Sequence, residues 1–424
     1  MAGRPGSGTR TAVVVIGAGH AGLAMSRRLT ERSIDHVVLE RRGVASSWRT
    51  GRWDSLRLLT PNWFTRLPGL AYDGPDPDGY ASAGEVADLL DRYADLVAAP
   101  VLTATTISAV RRAGDGYLVD TDRGRWCCAA VVVASGACSL AAVPPVAADV
   151  PAGIAVHTPQ TYRNPAGLDP RPVLVVGASA TGVQLAEEIH RSGRPVTLAV
   201  GEHVRMPRTY RGRDIFWWTD RAGVLDERYD RVDDIGRARA LPSPQLIGTP
   251  ERRSIDLDSL AAQGITIAGR LSRIVDGVAQ FSGSLANTCT LADLKADRLL
   301  GALDHWAATA GIADELGPPE RLEPTAAGAG PPRLELDLRR ADVGSVLFAT
   351  GYRPDHSWLD VAVFDRRGRI DHDGGVVRNA PGMYVIGHNV LRRRRSSFIA
   401  GAEHDSADLA RLVHLHLDRQ AAGG

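Results

Sequence analysis

One stretch, residues 12–40, constrains the fold of this 424-residue chain more than any other. It opens with an apolar, β-branched run, Ala12–Ile16, which predicts a buried strand. The chain then turns through the segment GAGHAG, Gly17–Gly22, and continues into helix-compatible sequence. A second apolar run ends at Glu40, 18 residues after the last of these glycines. This order of strand, glycine-rich turn, helix and acid is typical of a dinucleotide-binding βαβ unit.

Four residues of this stretch have separate predicted roles. Gly17 permits the tight turn, Gly19 lets the backbone approach a diphosphate, and Gly22 lets helix and strand pack closely. The free N–H groups at the helix N-terminus would face the phosphates, and Glu40 would accept hydrogen bonds from a ribose. The alternative interpretation is a glycine-rich turn with no ligand.

The same pattern returns in the middle of the chain. An apolar run, residues 173–176, leads through GASATG, Gly177–Gly182, into a second helix-compatible segment. A further apolar run, Val196–Val200, completes a second βαβ unit. We therefore predict that Gly177, Ser179, Thr181 and Gly182 contact a second dinucleotide.

The end of the second unit differs from that of the first. Val200 stands at the position that corresponds to Glu40, and arginines follow it, Arg205 and Arg208 first. Loss of the acid and gain of arginine suit a ribose that carries a 2′-phosphate, so these two residues are predicted to bind NADPH. A solvated basic loop is the alternative.

Composition excludes several classes of function. The formal net charge of +1 gives no reason to expect nucleic acid as a partner, and no apolar run is long enough for a membrane span. The four cysteines lack metal-ligand and disulfide spacing, so we expect no metal site and a reducing, cytoplasmic location. Two local features stay open: Cys127-Cys128 is either a redox pair or buried free thiols, and the arginine run 392–395 is a nucleic-acid patch, part of a cofactor site or a solvated run.

The two fingerprints, each associated with an apolar strand that ends Ala-Ser-Gly or Ala-Thr-Gly, resemble the two-dinucleotide flavoproteins. The finer resemblance is to flavin-containing monooxygenases, in particular the bacterial members similar to plant indole-pyruvate monooxygenases. The segments 348–354 (FATGYRP), 55–58 with 67–69, and 394–399 (RRSSFI) carry it together with the fingerprints. The resemblance implies an α/β fold of two Rossmann-like domains, with FAD on the first fingerprint and NADPH on the second.

The resemblance also implies which further residues form the site. The flavin ring would lie near Trp48 and Arg49, and Asn62 is the candidate for a catalytic amide because Leu59 occupies the position that matches the Asn of animal-type enzymes. The start of the last helix, Ser396-Ser397, would stabilise negative charge on the ring. Further cofactor contacts are predicted at the ends of the apolar strands, at Gly136, Thr350, Gly351 and Gly387.

The predicted architecture is a discontinuous FAD domain with an NADPH domain inserted into it. The expected boundaries are 10–150 and 335–424 for the FAD domain and 151–334 for the NADPH domain and substrate cleft. The predicted function is a monooxygenase that transfers one oxygen atom from O2 to a small organic substrate through a peroxyflavin intermediate; the oligomeric state stays open. Two alternatives remain: an NADPH oxidase or flavin-dependent reductase without oxygen transfer, and a non-catalytic nucleotide-sensing regulator of a transport system.

Overall fold

The structure, a computed structural model, describes residues 8–423. Two sheets dominate it, one with mixed and one with purely parallel strand pairing, and helices pack against both. The helices are α1 His20–Thr30, α2 Ser46–Thr50, α3 Ala83–Leu96, α4 Ala180–Arg191, α5 Ile215–Arg221, α6 Ile235–Ala240, α7 Leu257–Ala262, α8 Leu285–Thr309 and α9 Gly401–Gly423. The strands of the N-terminal part are β1 Thr9–Ile16, β2 His36–Leu39, β3 Arg66–Leu67, β4 Leu70–Ala71, β5 Val101–Leu102, β6 Ile107–Ala113, β7 Gly116–Thr121, β8 Gly124–Val133 and β9 Leu140–Ala141.

The remaining strands follow in the second half of the chain. They are β10 Ala155–His157, β11 Val173–Val176, β12 Val196–Val200, β13 Thr209–Tyr210, β14 Arg213–Asp214, β15 Thr266–Gly269, β16 Leu271–Val275, β17 Val278–Phe281, β18 Glu335–Asp337, β19 Ser345–Phe348, β20 Tyr352–Arg353, β21 Leu359–Asp360, β22 His372–Asp373, β23 Val376–Val377 and β24 Met383–Val385. None of the described helices is long and apolar enough to cross a membrane.

The first sheet is built around β1. This strand pairs in parallel with β2 on one side and with β8 on the other, and the order of the sheet is β21-β6-β7-β8-β1-β2-β5. The apolar run that the sequence predicts to be buried has no exposed surface at Val13, Val14 and Val15. Strand β24 pairs in parallel with β8, so the C-terminal part of the chain returns to this sheet. We call this sheet with its helices the first unit.

The second sheet has the order β10-β19-β11-β12-β15, and its strand pairs are all parallel. Its central strand β11, residues Val173–Val176, is buried along its whole length. Continuous burial explains why the run is apolar without alternation, as is usual for a parallel strand covered on both faces. We call this sheet with its helices the second unit. The two units confirm the predicted α/β fold of two Rossmann-like domains.

The return from the second unit to the first lies later than the expected boundary at residue 335. Strand β19, Ser345–Phe348, pairs with β10 and β11 and therefore belongs to the second sheet. Strand β18 pairs with β17 beside that sheet, and the chain rejoins the first sheet only at β21, Leu359–Asp360. The Ala-Thr-Gly at 349–351 thus ends a strand of the second unit, whereas its earlier counterpart at 134–136 ends a strand of the first.

Candidate functional site

The first fingerprint forms a close-packed turn between β1 and α1. Gly17 has a φ of +106°, and a Cβ atom there would lie 2.7 Å from the carbonyl oxygen of Ala134. A Cβ atom at Gly22 would overlap the carbonyl oxygen of Gly17. Only glycine satisfies both positions without moving the backbone, so the two residues hold helix, turn and neighbouring strand together.

Gly19 faces open space instead of protein. No atom lies within 4 Å of the position that a Cβ atom would take at this residue. Gly19 is also the N-cap of α1, and no side chain caps the helix there, so the first N–H groups of α1 are free to bind an anion. An open backbone with free N–H groups has the form of a diphosphate cradle.

The Glu40 carboxylate lies at the end of β2, next to this turn. It is 9% exposed and accepts hydrogen bonds from the backbone N–H groups of Ala18, at 2.9 Å, and Arg42, at 3.1 Å. These bonds fix the carboxylate at the rim of the turn, where it lines a cavity. A carboxylate held in this way can accept further hydrogen bonds from the hydroxyl groups of a ribose.

The second fingerprint repeats this geometry. Gly177 has a φ of +105°, and a Cβ atom there would lie 2.5 Å from the carbonyl oxygen of Ala349. A Cβ atom at Gly182 would overlap the carbonyl oxygen of Gly177. Ser179 is the N-cap of α4, no side chain caps that helix, and Thr181 lies in its first turn. The internal repeat predicted from sequence is therefore a repeat of backbone contacts as well.

A cavity of about 750 Å³ borders the first fingerprint. Glu40 and Thr105 line it, and so do Arg52, Cys138 and Gln160. The Gln160 amide donates hydrogen bonds to the carbonyl oxygens of Cys138, at 2.9 Å, and Ser139, at 3.1 Å, which ties the linker between the units to this wall. Predicted site residues in the lining are Gly17, Gly19, Glu40, Trp48, Gly136, Gly387 and Ser397.

His20 lies in the same lining, directly after Gly19. Burial lowers the pKa of His20 from 6.5 to about 4, so the imidazole is neutral at pH 7. Its Nε2 atom is buried and has no hydrogen-bond partner in the described protein. A neutral ring beside the phosphate cradle leaves one polar atom available to a ligand.

Comparisons with known proteins agree with this geometry. The model of the pyridine nucleotide-disulphide oxidoreductase family matches residues 14–212. An uncharacterized CzcO-like oxidoreductase of Geobacillus kaustophilus is 30% identical over 409 residues, which cover 95% of this chain and 98% of that protein. The indole-3-pyruvate monooxygenase YUCCA1 of rice is 32% identical over 217 residues, which cover 48% of this chain and 51% of that protein. The chain belongs to the family of CzcO-like oxidoreductases.

A solved structure extends the likeness to the whole fold. The flavin-containing monooxygenase of Stenotrophomonas maltophilia superimposes with a TM-score of 0.65 at 20% identity, over 96% of this chain and 99% of that one. Within this family the chain is an oxidoreductase with two dinucleotide-binding units. The open backbone at Gly19, the free N–H groups of α1 and the fixed Glu40 carboxylate fit the diphosphate and ribose of FAD.

The structure gives Arg205 and Arg208 other partners than the predicted 2′-phosphate. The side chain of Arg205 is 7% exposed and pairs with Asp256, at 3.2 Å, and Asp293, at 2.8 Å. The side chain of Arg208 has no exposed surface, pairs with Asp214 at 3.3 Å and donates hydrogen bonds to two backbone carbonyls. Sequence spacing placed both arginines near the strand end but could not show that carboxylates within the protein neutralise them.

A different arginine lies at the end of the second unit's sheet. Arg270 directly follows β15, which pairs with β12, and its side chain lies 3.9 Å from the Cβ position of Gly201. Arg270 is exposed. Arg270 is therefore a cation next to the end of the strand that Val200 terminates. Strand pairing brings it there, whereas the prediction considered only the residues that follow Val200 in the sequence.

Three predicted flavin contacts lie away from the cavity lining. The Asn62 amide donates to the carbonyl oxygen of Asp76 at 2.9 Å, in a 3₁₀ turn outside the cavity. Arg49 is exposed and pairs with two carboxylates of α3. The Ser396 hydroxyl is 1% exposed and accepts hydrogen bonds from the backbone N–H groups of residues 392 and 393, so it fixes the turn that presents Ser397. Of the residues predicted to lie near the flavin ring, Trp48 and Ser397 line the cavity.

The arginine run 392–395 is paired within the protein. Arg395 is 1% exposed and contacts Asp220 at 2.6 Å and Asp226 at 2.8 Å, which ties the run to α5 and the residues after it. The other three arginines pair with Asp408, Asp405 and Glu227. The run therefore positions the turn 394–397 beside the cavity.

Of the four cysteines, only Cys138 lines the cavity. Cys127 and Cys128 lie next to each other on β8 as free thiols. Burial raises the pKa of Cys128 to about 12, which disfavours the thiolate that disulfide exchange requires. The second interpretation of this pair, buried free thiols, agrees with the structure.

Sequence reasoning missed several cavity residues. His20, Arg52, Thr105, Cys138 and Gln160 come from five separate segments that the fold brings together. His20 lies inside the fingerprint and was visible there, but its neutral state depends on burial. Arg52 lies three residues after Arg49 in the predicted flavin loop, and only the direction of the chain after α2 decides which of the two arginines faces the cavity.

Proposed function

We propose that this oxidoreductase is an FAD- and NADPH-dependent monooxygenase that transfers one oxygen atom from O2 to a small organic substrate in the cytoplasm. One observation carries the proposal: the first fingerprint borders a cavity of about 750 Å³ whose lining holds one cysteine instead of a pair. A reductase with a redox-active cysteine pair needs both thiols beside the flavin. A monooxygenase needs a secluded space at the same place.

The residues of the chain have distinct roles in this proposal. The helix α1 N-terminus and Gly19 hold the diphosphate of FAD, and Glu40 orients its adenosine ribose. Trp48 and Ser397 line the cavity in which the ring is proposed to bind, and the turn fixed by Ser396 would supply N–H and hydroxyl donors beside it. Bound FAD supplies the redox chemistry, and the protein supplies orientation and exclusion of water.

The second unit would bind the coenzyme that delivers the hydride. The free N–H groups of α4 behind Ser179 offer the same anion site as those of α1, and Thr181 lies in the first turn. Arg270 replaces Arg205 and Arg208 as the residue proposed for the 2′-phosphate. Ala349, Thr350 and Gly351 close this unit, so the latter two are proposed contacts of the second dinucleotide and not of the flavin.

Oxygen transfer can be tested with an isotope. Indole-3-pyruvate serves as the first probe because a relative's name specifies it, and simple ketones and thioethers complete the panel. With ¹⁸O2 and NADPH, we expect one labelled oxygen atom per molecule of product and less hydrogen peroxide than NADPH consumed. Peroxide equal to NADPH with every probe would contradict oxygen transfer.

An NADPH oxidase is the second candidate. The position of Asn62 favours it, because the amide that would stabilise charge on the ring is bonded to Asp76 instead of facing the cavity. If the protein is yellow and the amount of peroxide formed equals the amount of NADPH consumed, the result would support this candidate. A colourless protein that binds no flavin would instead support the nucleotide-sensing regulator.

A further inference from the structure

Arg52 occupies the boundary between the two units. Its guanidinium carbon lies 5.3 Å from the centre of the Trp48 ring and 5.7 Å from the centre of the Tyr352 ring. Trp48 belongs to α2 of the first unit, whereas Tyr352 belongs to β20, directly after the last strand of the second sheet. The Arg52 side chain also lines the cavity. One cation therefore touches both units and the space between them.

The Arg52 guanidinium pairs with no carboxylate in the part of the chain that the structure describes. Among residues 8–423, no Asp or Glu oxygen lies within 4.0 Å of the Arg52 guanidinium. Arg49, three residues earlier, pairs with Asp88 and Asp91 at the surface. Arginine that stacks on aromatic rings uses the faces of its guanidinium and keeps the in-plane N–H donors free. The N–H donors of Arg52 that do not contact the Tyr352 hydroxyl are thus available to a planar or tetrahedral anion in the cavity.

Tyr352 connects Arg52 to the second fingerprint. The segment that leads into Tyr352 contacts this fingerprint: the Ala349 carbonyl oxygen lies 2.5 Å from the Cβ position of Gly177, and the Ala349 Cβ atom lies 3.5 Å from that of Gly182. Thr181 is in the first turn of α4, where the free N–H groups offer a diphosphate site. Tyr352 therefore places Arg52 beside the segment that closes the second fingerprint.

We propose that Arg52 binds the diphosphate of the pyridine nucleotide, as a residue contributed by the FAD-binding unit to the coenzyme site of the other unit. The inference rests on the proposed function only in assigning a pyridine nucleotide to the second fingerprint. Because Arg52 comes from one unit and the rest of the coenzyme site from the other, the affinity for the coenzyme depends on how the two units are aligned. Arg52 is a positioning residue for the coenzyme, and FAD bound at Gly19 does not depend on it.

The test measures binding without turnover. NADP⁺ is titrated into the FAD-loaded protein, and the quench of tryptophan fluorescence or the heat of binding gives its Kd. Arg52→Gln should raise this Kd about 10- to 100-fold, the loss of one charge-assisted contact. Arg52→Lys, which keeps the charge without the planar guanidinium, should give a Kd between those of the wild type and Arg52→Gln. Arg125→Gln removes an exposed, surface-paired arginine of β8 and should leave the Kd unchanged.

Two outcomes would overturn the proposal. One is an unchanged Kd for NADP⁺ in Arg52→Gln; a raised KM for the organic substrate alone would then assign the cation to a substrate carboxylate. The other is loss of FAD from Arg52→Gln, which would assign Arg52 to the flavin. Failure of oxygen transfer is distinguishable, because it changes the products of reoxidation and leaves the Kd for NADP⁺ intact.

Discussion

The carbonyl oxygen of Gly17 occupies the space that a side chain at Gly22 would need. The same relationship holds between Gly177 and Gly182 in the second unit. The first and third glycines of each fingerprint therefore serve the packing of helix on strand, whereas Gly19 faces open space. This division predicts different outcomes for substitutions within one short motif.

Gly22→Ala should damage the protein itself. The added methyl group must displace the Gly17 backbone, and overpacking of this kind costs about 1–3 kcal/mol of unfolding free energy. Urea unfolding should show this loss, and the flavin absorbance should fall with it. Gly301→Ala is the matched control, because it adds the same methyl group to the interior of α8 with no atom within 4 Å. That control should be neutral or slightly stabilising; equal losses in both variants would contradict the assignment.

Gly19→Val should separate binding from stability. The side chain would project into the cavity where the diphosphate belongs, and no protein atom stands in its way. We expect a folded protein with an unfolding transition close to that of the wild-type apoprotein and with little or no bound FAD. Full retention of flavin in this variant would show that the cradle at Gly19 does not hold FAD.

Coenzyme selectivity should depend on Arg270. Arg270→Ala is expected to weaken NADP⁺ binding about 10-fold or more through loss of a charge-assisted contact, with little effect on NAD⁺. Arg205→Ala leaves Asp256 and Asp293 partly buried without their cation, and should instead lower the unfolding free energy by about 3–5 kcal/mol. Calorimetric titration with both coenzymes and thermal unfolding distinguish these effects. An Arg270→Ala protein that binds NADP⁺ and NAD⁺ as the wild type does would be incompatible with the assignment.

Local patterns in the sequence predicted the two units well, because fingerprint glycines, apolar strands and helix starts are dictated by neighbouring residues. The predictions failed where distant residues decide the outcome. Arg205 and Arg208 follow the expected strand, yet carboxylates of other segments hold them. Strand β19 was assigned to the first unit by its position in the chain, although its pairing with β11 places it in the second. Which side chains face the cavity likewise depends on loop direction, as Asn62 shows.

The stability of the protein should fall in mild acid through His20. Its pKa is about 4 in the folded protein, below the usual value of 6.5. The neutral imidazole therefore contributes stability that is complete above pH 6.5 and is lost as the pH falls towards 4. His20→Gln should flatten the pH dependence of the unfolding free energy in this window, while His305→Gln, at an exposed position of α8, should follow the wild type. An identical slope in the His20 variant would show that the ring does not titrate with unfolding.

The reaction of the reduced protein with oxygen tests the central claim most directly. The FAD-loaded protein is reduced with NADPH without air and then mixed with O2 in a stopped-flow instrument, with flavin absorbance and peroxide recorded together. A monooxygenase should regain its flavin absorbance in two resolved steps, with the second slowed by bound NADP⁺ and peroxide released only in that step, because the cavity excludes water. Recovery in a single step, with peroxide released at the same rate and in an amount equal to the reduced flavin, would contradict the account.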